Sequence, residues 1–540
     1  MNRSTRRHFI GGMAALGATI GASRDVFAAR RDAEEGRPAR EAAAIEGEAA
    51  AFANPLRLPG ASGLYGVMRA TDLREVRVVR SEIEVLPGKR TPYLAYAVES
   101  GGKTYLNPAL LARRGEEMRL RMVNRLDEPT IIHWHGLSND ARNDGNGLVV
   151  AAPGQAYEYA FKLNDRASMY WYHPHAHGLI PRQAYHGLAS LLFIEDDEEL
   201  ALRGALQLAL GETEIPLVLQ DRSFDAQGRL RYEPSTDQAF QGFIGERLLV
   251  NLTEHPFIQA ARRIYRFRIL NGSNARSYRL AFLQDGRPLG CYLAGTDGGL
   301  LAAAQRIEQS YISPGQRLDI LLDLREAKEG RPVTLGTLGF DPMHAEGGGG
   351  SMAGMDHSKM AMPMAGEGEP HALLRIDVKP SPGYTNKIPA TLSGLPAAKA
   401  PPGTPRRIKL AHDGKGQWTI NGWSYDAKSV PLTVKRGAAE TWLIENARAS
   451  MPHPMHIHGF PFRVVERRGS PPQVRALAGA KGLLPQDLGA TDTVQVWPGE
   501  TLRIALDFSH SHAGRQDYVF HCHNLEHAEA GMMIRYSVLG

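Results

Sequence analysis

The stretch Pro153-Gly154-Gln155-Ala156-Tyr157-Glu158-Tyr159-Ala160-Phe161-Lys162-Leu163 reads as a turn that opens onto a strand. Proline presets the first turn dihedral, glycine accepts a positive φ at the second, and large apolar residues then recur at every other position. The same punctuation returns at Pro314-Gly315-Gln316, ahead of Arg317 to Leu322, and at Pro498-Gly499-Glu500. Alternation also runs through Glu117 to Val123 and Ile264 to Ile269. Along a strand, residues two apart share a face, so this period describes half-buried strands and an all-β chain. Three copies of one unit in 540 residues, at about 150 residues per domain, predict three similar β-sandwiches.

The outer two copies match further. Arg114-Gly115 leads nine residues on to Asn124 and then to His133, and Arg436-Gly437 leads nine residues on to Asn446 and then to His456. Equivalent histidines are therefore expected in the first and last sandwiches. The divisions read from composition are 62–210, 211–376 and 407–540. Residues 377–406, dense in Pro, Ala and Gly, form the connection before the last unit. A Gly- and Met-rich stretch, 343–364, is expected to be a surface loop. Residues 29–61 are rich in Ala, Glu and Arg and read as a tether or short helix.

Residues 1–28 have the form of an export signal: Arg6-Arg7, a weakly apolar run to Ala22, and small residues around Val26-Phe27-Ala28. The arginine pair points to the twin-arginine route and a periplasmic destination. Its removal takes away four arginines and one aspartate, lowering the formal net charge from +5 to +2, so the basicity asks for no nucleic-acid partner. No apolar run reaches the roughly 18 residues of a membrane span, and a soluble monomer is expected. Of the two cysteines, Cys291 reads as a small buried hydrophobe, while Cys522 sits between histidines.

Ten of the twenty histidines fall in four short segments: His133-Trp134-His135-Gly136, Trp171-Tyr172-His173-Pro174-His175, His453-Pro454-Met455-His456-Ile457-His458-Gly459, and His521-Cys522-His523 followed by His527 and Met532. Each contains His-x-His, which on a strand aims two imidazoles at one place, and imidazole is a favoured copper ligand. Cys522 must then point away from His521 and His523, so one strand serves two metal sites. A thiolate with two histidines and a weak axial methionine suits an electron-transfer copper, and Cys522, His453, His527 and Met532 supply that set. Zinc also takes His and Cys, but its sites usually close with four ligands and would not use so many histidines. His186, His255, His371, His412, His510 and His512 lie outside the clusters and are given no metal.

These four segments resemble the complete copper-binding signature of the multicopper oxidases, over roughly residues 62–540. The resemblance implies three cupredoxin-like Greek-key β-sandwich domains and four copper ions: one type 1, one type 2 and two type 3. It implies that His133 and His456 hold the type 2 copper and that His135, His173, His175, His458, His521 and His523 hold the type 3 pair. Four one-electron oxidations would then be coupled to reduction of O2 to two waters. Asp144 matches an acid that family members place near the type 2 copper for proton delivery; a turn residue beside Gly145 is the other reading. Some relatives carry a second acid directly after the last histidine ligand, where this chain has Ala528, with Glu529 one position later. His177, two residues past a ligand pair, has no copper in the family motif.

The reducing substrate is read from the Met-rich stretch. Met352, Met355, Met360, Met362 and Met364 sit among Gly, Ser, Ala and Lys, where core packing does not explain them, and thioether sulfur suits Cu(I). The stretch is similar to Met-rich segments of copper-tolerance oxidases, although it precedes the last domain. Those enzymes also bind a substrate copper near the outer histidine ligand, where this chain keeps Met451 but no carboxylate at Ala449 or Ser450. Cu(I) is the expected substrate, small phenols and aromatic amines the alternative, and a copper-binding cupredoxin protein without turnover the third possibility. Cys522→Ser is expected to abolish the intense thiolate-to-copper absorption of the copper-loaded protein; a colourless loaded wild type would overturn the reading.

Overall fold

The computed structural model describes residues 38–60, 63–343, 367–380 and 383–540. The export signal and Met352, Met355, Met360, Met362 and Met364 lie outside the described residues. The strands form six sheets. Two of them, of six and five strands, lie between residues 63 and 195 and enclose Val78, Leu120, Trp134, Tyr159 and Leu192. Two seven-stranded sheets, spanning 214–379 with one short strand from Asn54–Pro55, enclose Ile215, Phe267, Ile320 and Leu374. Two five-stranded sheets between 406 and 539 enclose Trp442, Ile504, Phe520 and Tyr536. Among the described residues no helix is long and apolar enough to cross a membrane.

The three sandwiches share one strand trio. Glu75–Glu84 runs parallel to Glu117–Asn124, which is antiparallel to Ala156–Lys162. Glu214–Arg222, Ile264–Asn271 and Arg317–Asp323 repeat this order, as do Arg406–His412, Ala439–Asn446 and Thr501–Asp507. Parallel neighbours that are not consecutive in the chain require the crossovers of a Greek key.

The Pro-Gly turns hold each trio in the same way. Gln155, Gln316 and Glu500 donate their backbone N–H to Ala152, Ser313 and Trp497 at 2.9, 3.0 and 3.0 Å. Gly154, Gly315 and Gly499 have φ of 78°, 84° and 75°, the positive value that a type II turn demands at its third position. An asparagine clamps each turn to the preceding strand. Asn124 Nδ2 donates to the carbonyls of Glu128 and Ala151, Asn271 to Arg276 and Ile312, and Asn446 to Met451 and Val496, at 2.7–3.1 Å. Asn271 is the middle member of this set and completes the repeat seen in sequence at Asn124 and Asn446.

Two stretches that the sequence presents as connections are docked. Residues 38–49 form a helix whose Ala42, Ile45 and Ala49, with Phe52, bury against Ala281, Leu283, Leu338 and Ala372 of the second sandwich. Glu41, Glu46 and Glu48 accept the backbone N–H of Gly339, Gly286 and Ala372. Of the two readings, tether or short helix, the described part is the helix, and spacing of three and four gives it an apolar stripe even where two of its members are only alanine. The connection at 377–406 is also revised, since Asp377 to Lys379 belong to the strand His371–Lys379. Beyond it the chain straps the second sandwich, with Leu392 N–H on the Ala302 carbonyl and Ser393 Oγ on those of Leu300 and Leu301.

Asn271→Ala, which strands the carbonyls of Arg276 and Ile312, is expected to cost about 2 kcal/mol. Urea unfolding measures this, and a loss under about 0.5 kcal/mol would show that the clamp is dispensable.

Candidate metal centre

Two strand pairs carry the histidines. Ile132–His135 pairs with Ser168–Pro174, placing His133 opposite His173. His453–Ile457 pairs with Gln516–Cys522, placing His456 opposite His521 and Met455 opposite Cys522. The pairs meet where the first and third sandwiches abut: the His135 and His456 rings stack at 3.8 Å between centroids, and those of His133 and His458 at 3.9 Å. Ligand-type atoms converge within 4.8 Å of one another in the groups His133–His135–His456, His135–His173–His523, His175–His458–His521 and His133–Asp144–His458. All these residues are buried.

Hydrogen bonding tells which ring nitrogen carries the proton. His133 Nδ1 lies 2.7 Å from the Asp144 carbonyl, His456 Nδ1 2.9 Å from that of Asp492, and His173 Nδ1 3.0 Å from that of Pro174. A carbonyl only accepts, so each of these nitrogens is N–H and the opposite Nε2 is a bare lone pair. The Nε2 atoms of His133, His173 and His456 are buried with no partner. His135 is turned the other way, with Nε2 2.8 Å from Asp492 Oδ1 and Nδ1 unpartnered. His458 Nε2 and His521 Nε2 face each other at 3.1 Å, although His458 Nδ1 is held by Asp144 Oδ2 at 2.8 Å and His521 Nδ1 by the Cys522 carbonyl at 2.9 Å. Burial and then the neighbouring imidazoles hold His133, His135, His175, His458 and His523 well below the usual histidine range. Inward lone pairs on neutral imidazoles are what a metal centre requires.

On the other face of the same strand, Cys522 Sγ lies 3.6 Å from His453 Nδ1 and 3.5 Å from His527 Nδ1, and the two nitrogens are 3.1 Å apart. The outer Nε2 atoms bond Ser450 Oγ at 3.1 Å and the Gln241 carbonyl at 2.9 Å. Burial pushes the Cys522 thiol up from its ordinary range. Met532 is fully buried beside them and ties Cys522 N–H to its own carbonyl at 2.9 Å.

Sequence reading missed the layer behind the ligands. Asp492 accepts from Arg317 through both oxygens, at 2.9 and 2.6 Å, while its Oδ1 faces His135 and Thr493 Oγ1. Burial alone would raise this carboxyl, but the Arg317 guanidinium outweighs it and holds Asp492 below the carboxylate range. Arg317 opens the strand after the second Pro-Gly turn, so the second sandwich reaches the histidine cluster. Glu526 is likewise buried, accepts from Asn274 and Tyr232 at 2.9 Å, and is pushed up to about 7 by burial.

Asp144 is placed by both a turn and a buried contact. It closes the short helix Ala141–Asp144 before left-handed Gly145, and it is wholly buried against two ligand-type rings. His177 and Glu529 pair at 3.0 Å across the first and third sandwiches, outside the clusters. Cys291 packs in the second core, where burial raises its thiol to about 12. Met451 departs from expectation. Its side chain is buried in the third core with Met455 and Phe460, because Asn446 pulls the Met451 carbonyl inward, so it does not present sulfur at the surface.

Multicopper oxidase family models match residues 90–199 and 399–539. A multicopper oxidase of Staphylococcus epidermidis is 30% identical over 434 residues, covering 79% of this chain and 81% of the relative. The chain belongs to the multicopper oxidase family. The crystal structure of the McoA multicopper oxidase from Aquifex aeolicus superposes with a TM-score of 0.78 at 34% identity, covering 90% of this chain and 99% of that one. A protein named cell division protein FtsP, from Xenorhabdus nematophila, is 30% identical over 435 residues, 79% of this chain and 82% of its own. Membership makes this chain an oxidoreductase with copper cofactors, and the unpartnered nitrogens and the Cys522 triangle fit that metal.

Arg317→Gln would leave the Asp492 carboxylate buried without its counter-charge, at an expected cost of about 3–5 kcal/mol, together with fewer coppers per chain. Thermal unfolding and metal analysis test this; wild-type stability and copper content would remove the role given to Arg317.

Proposed function

We propose that this multicopper oxidase takes electrons singly at a type 1 copper held by Cys522, His453, His527 and Met532, and reduces O2 to two waters at a trinuclear cluster. In this reading His133 and His456 hold the type 2 copper, His135, His173 and His523 one type 3 copper, and His175, His458 and His521 the other. Copper would supply one-electron acceptance at the first site and binding and four-electron reduction of O2 at the second. The chain supplies the wiring: the backbone of Cys522 leads directly to His521 and His523. It also supplies protons. Asp144, against His458 Nδ1 and raised by burial, keeps an acid beside the cluster. The observation that carries the proposal is the set of buried, unpartnered ring nitrogens on His133, His135, His173 and His456 opposite the Cys522 triangle. It favours turnover over the role suggested by the name of the FtsP relative.

Cu(I) is the reductant favoured by the methionines of 343–364, and small phenols are the second reading. The protein is proposed to act in the periplasm, on the strength of the twin arginines at Arg6 and Arg7.

Deleting 344–364 is expected to lower kcat/KM for Cu(I) and spare that for a phenol; an unchanged Cu(I) rate at low substrate would transfer preference to the phenol reading. Asp144→Asn is expected to slow oxygen uptake by about 10²-fold while the absorption of the Cys522 site still bleaches normally on reduction. Wild-type oxygen uptake would remove Asp144 from proton delivery.

A further inference from the structure

The electron-accepting site has no open edge. Cys522, His453 and His527 are each 0% exposed, and His527 directs its outer Nε2 at a backbone carbonyl of another sandwich, that of Gln241. Gln241 ends the six-residue helix Thr236–Gln241, which starts in a capping box between Ser235 and Gln238 and contains no buried residue. It is a single layer of chain lying over the site. Three further contacts hold it down. Asn524 Nδ2 donates to the same Gln241 carbonyl at 3.0 Å, and Trp418 Nε1 donates to that of Phe240 at 2.8 Å. The Phe240 ring stacks on Trp418 at 4.6 Å and 9°. Trp418 in turn lies 4.8 Å from the ring centroids of both His453 and His527. Gly242, at φ 121°, permits the close approach: a Cβ there would lie 2.6 Å from Ala275 Cβ and 2.6 Å from Asn524 Nδ2.

We propose that the helix Thr236–Gln241 is the specificity element of this site. It shuts the outer edge of His527 against large organic reductants, so that a donor gives up its electron from outside the cap. The donor loses one electron and the Cys522 copper gains it; a phenol also releases its proton to water, and no bond of the protein is made or broken. A one-electron metal ion needs no contact with the His527 ring, whereas a bulky phenol gains from one, so the cap biases the enzyme toward small inorganic donors. This inference rests on reading Cys522, His453 and His527 as the type 1 site.

The test uses the copper-loaded full chain with two independent changes, Phe240→Ala, which removes the stack, and Gly242→Ala, which forces the cap outward. Exchange of the His527 Nε2 proton in D2O, read by electron–nuclear double resonance of the oxidised Cys522 copper, should be slow in the wild type and fast in both variants. The kcat/KM for syringaldazine, a bulky phenol, should rise about tenfold, while that for hexacyanoferrate(II) stays within about threefold. Proton exchange at wild-type His527 as fast as in the variants would overturn the proposal. So would an unchanged syringaldazine rate in a variant whose His527 proton exchanges fast. Absence of the thiolate-to-copper absorption in the wild type would instead overturn the underlying type 1 reading.

Discussion

Eight of the ten clustered imidazoles have one nitrogen held by a fixed oxygen, and the remaining architecture serves that asymmetry. The tying oxygens are mostly carbonyls, those of Asp144, Asp492, Pro174, Cys522 and Gln241. Because a carbonyl cannot donate, each chooses the tautomer without help from the metal. Asp492 Oδ1 makes the opposite choice for His135, so that ring offers Nδ1 where its stacked partner His456 offers Nε2. A pocket lined with bare lone pairs repels itself in the absence of cations, which makes affinity for metal a consequence of the fold.

The second sandwich contributes no histidine to these clusters yet touches both. Arg317 reaches the histidine cluster through Asp492, and the Gln241 carbonyl reaches His527. The Asn271 clamp secures the turn that launches the Arg317 strand, just as Asn124 and Asn446 secure turns in the ligand-bearing sandwiches. A repeat that first looks decorative thus fixes a cation in the layer behind the ligands. Two kinds of force divide the work: apolar cores make each sandwich, and buried ion pairs and carbonyl contacts join them.

The sandwich repeat and all ten clustered histidines were legible in sequence because their information is local. Period-two alternation, Pro-Gly turns and His-x-His spacing each occupy fewer than a dozen residues, and a strand's pleat converts spacing directly into direction. Asp492, Arg317 and Gln241 were illegible because their meaning lies in a partner far along the chain; nothing near Asp492 marks it as the acceptor for a guanidinium 175 residues earlier. A short helix was one reading of 29–61, but its docking on the second sandwich escaped because Ala42 and Ala49 carry little hydrophobic signal one at a time. Met451 was misplaced for the opposite reason, since a sequence position beside a ligand says nothing about which way the side chain turns.

One feature of the strand Gln516–Cys522 bears on how such a protein can change over generations. Cys522 and its two neighbours face opposite sides, so losing or gaining a single residue here would exchange the faces, sending the thiol into the imidazole cluster and the imidazoles into an apolar core. Substitutions can drift through the surrounding loops, and whole segments such as the cap can be lengthened or traded. The strand itself has no such latitude: the Cys522 group and the imidazole cluster are inherited as one indivisible unit.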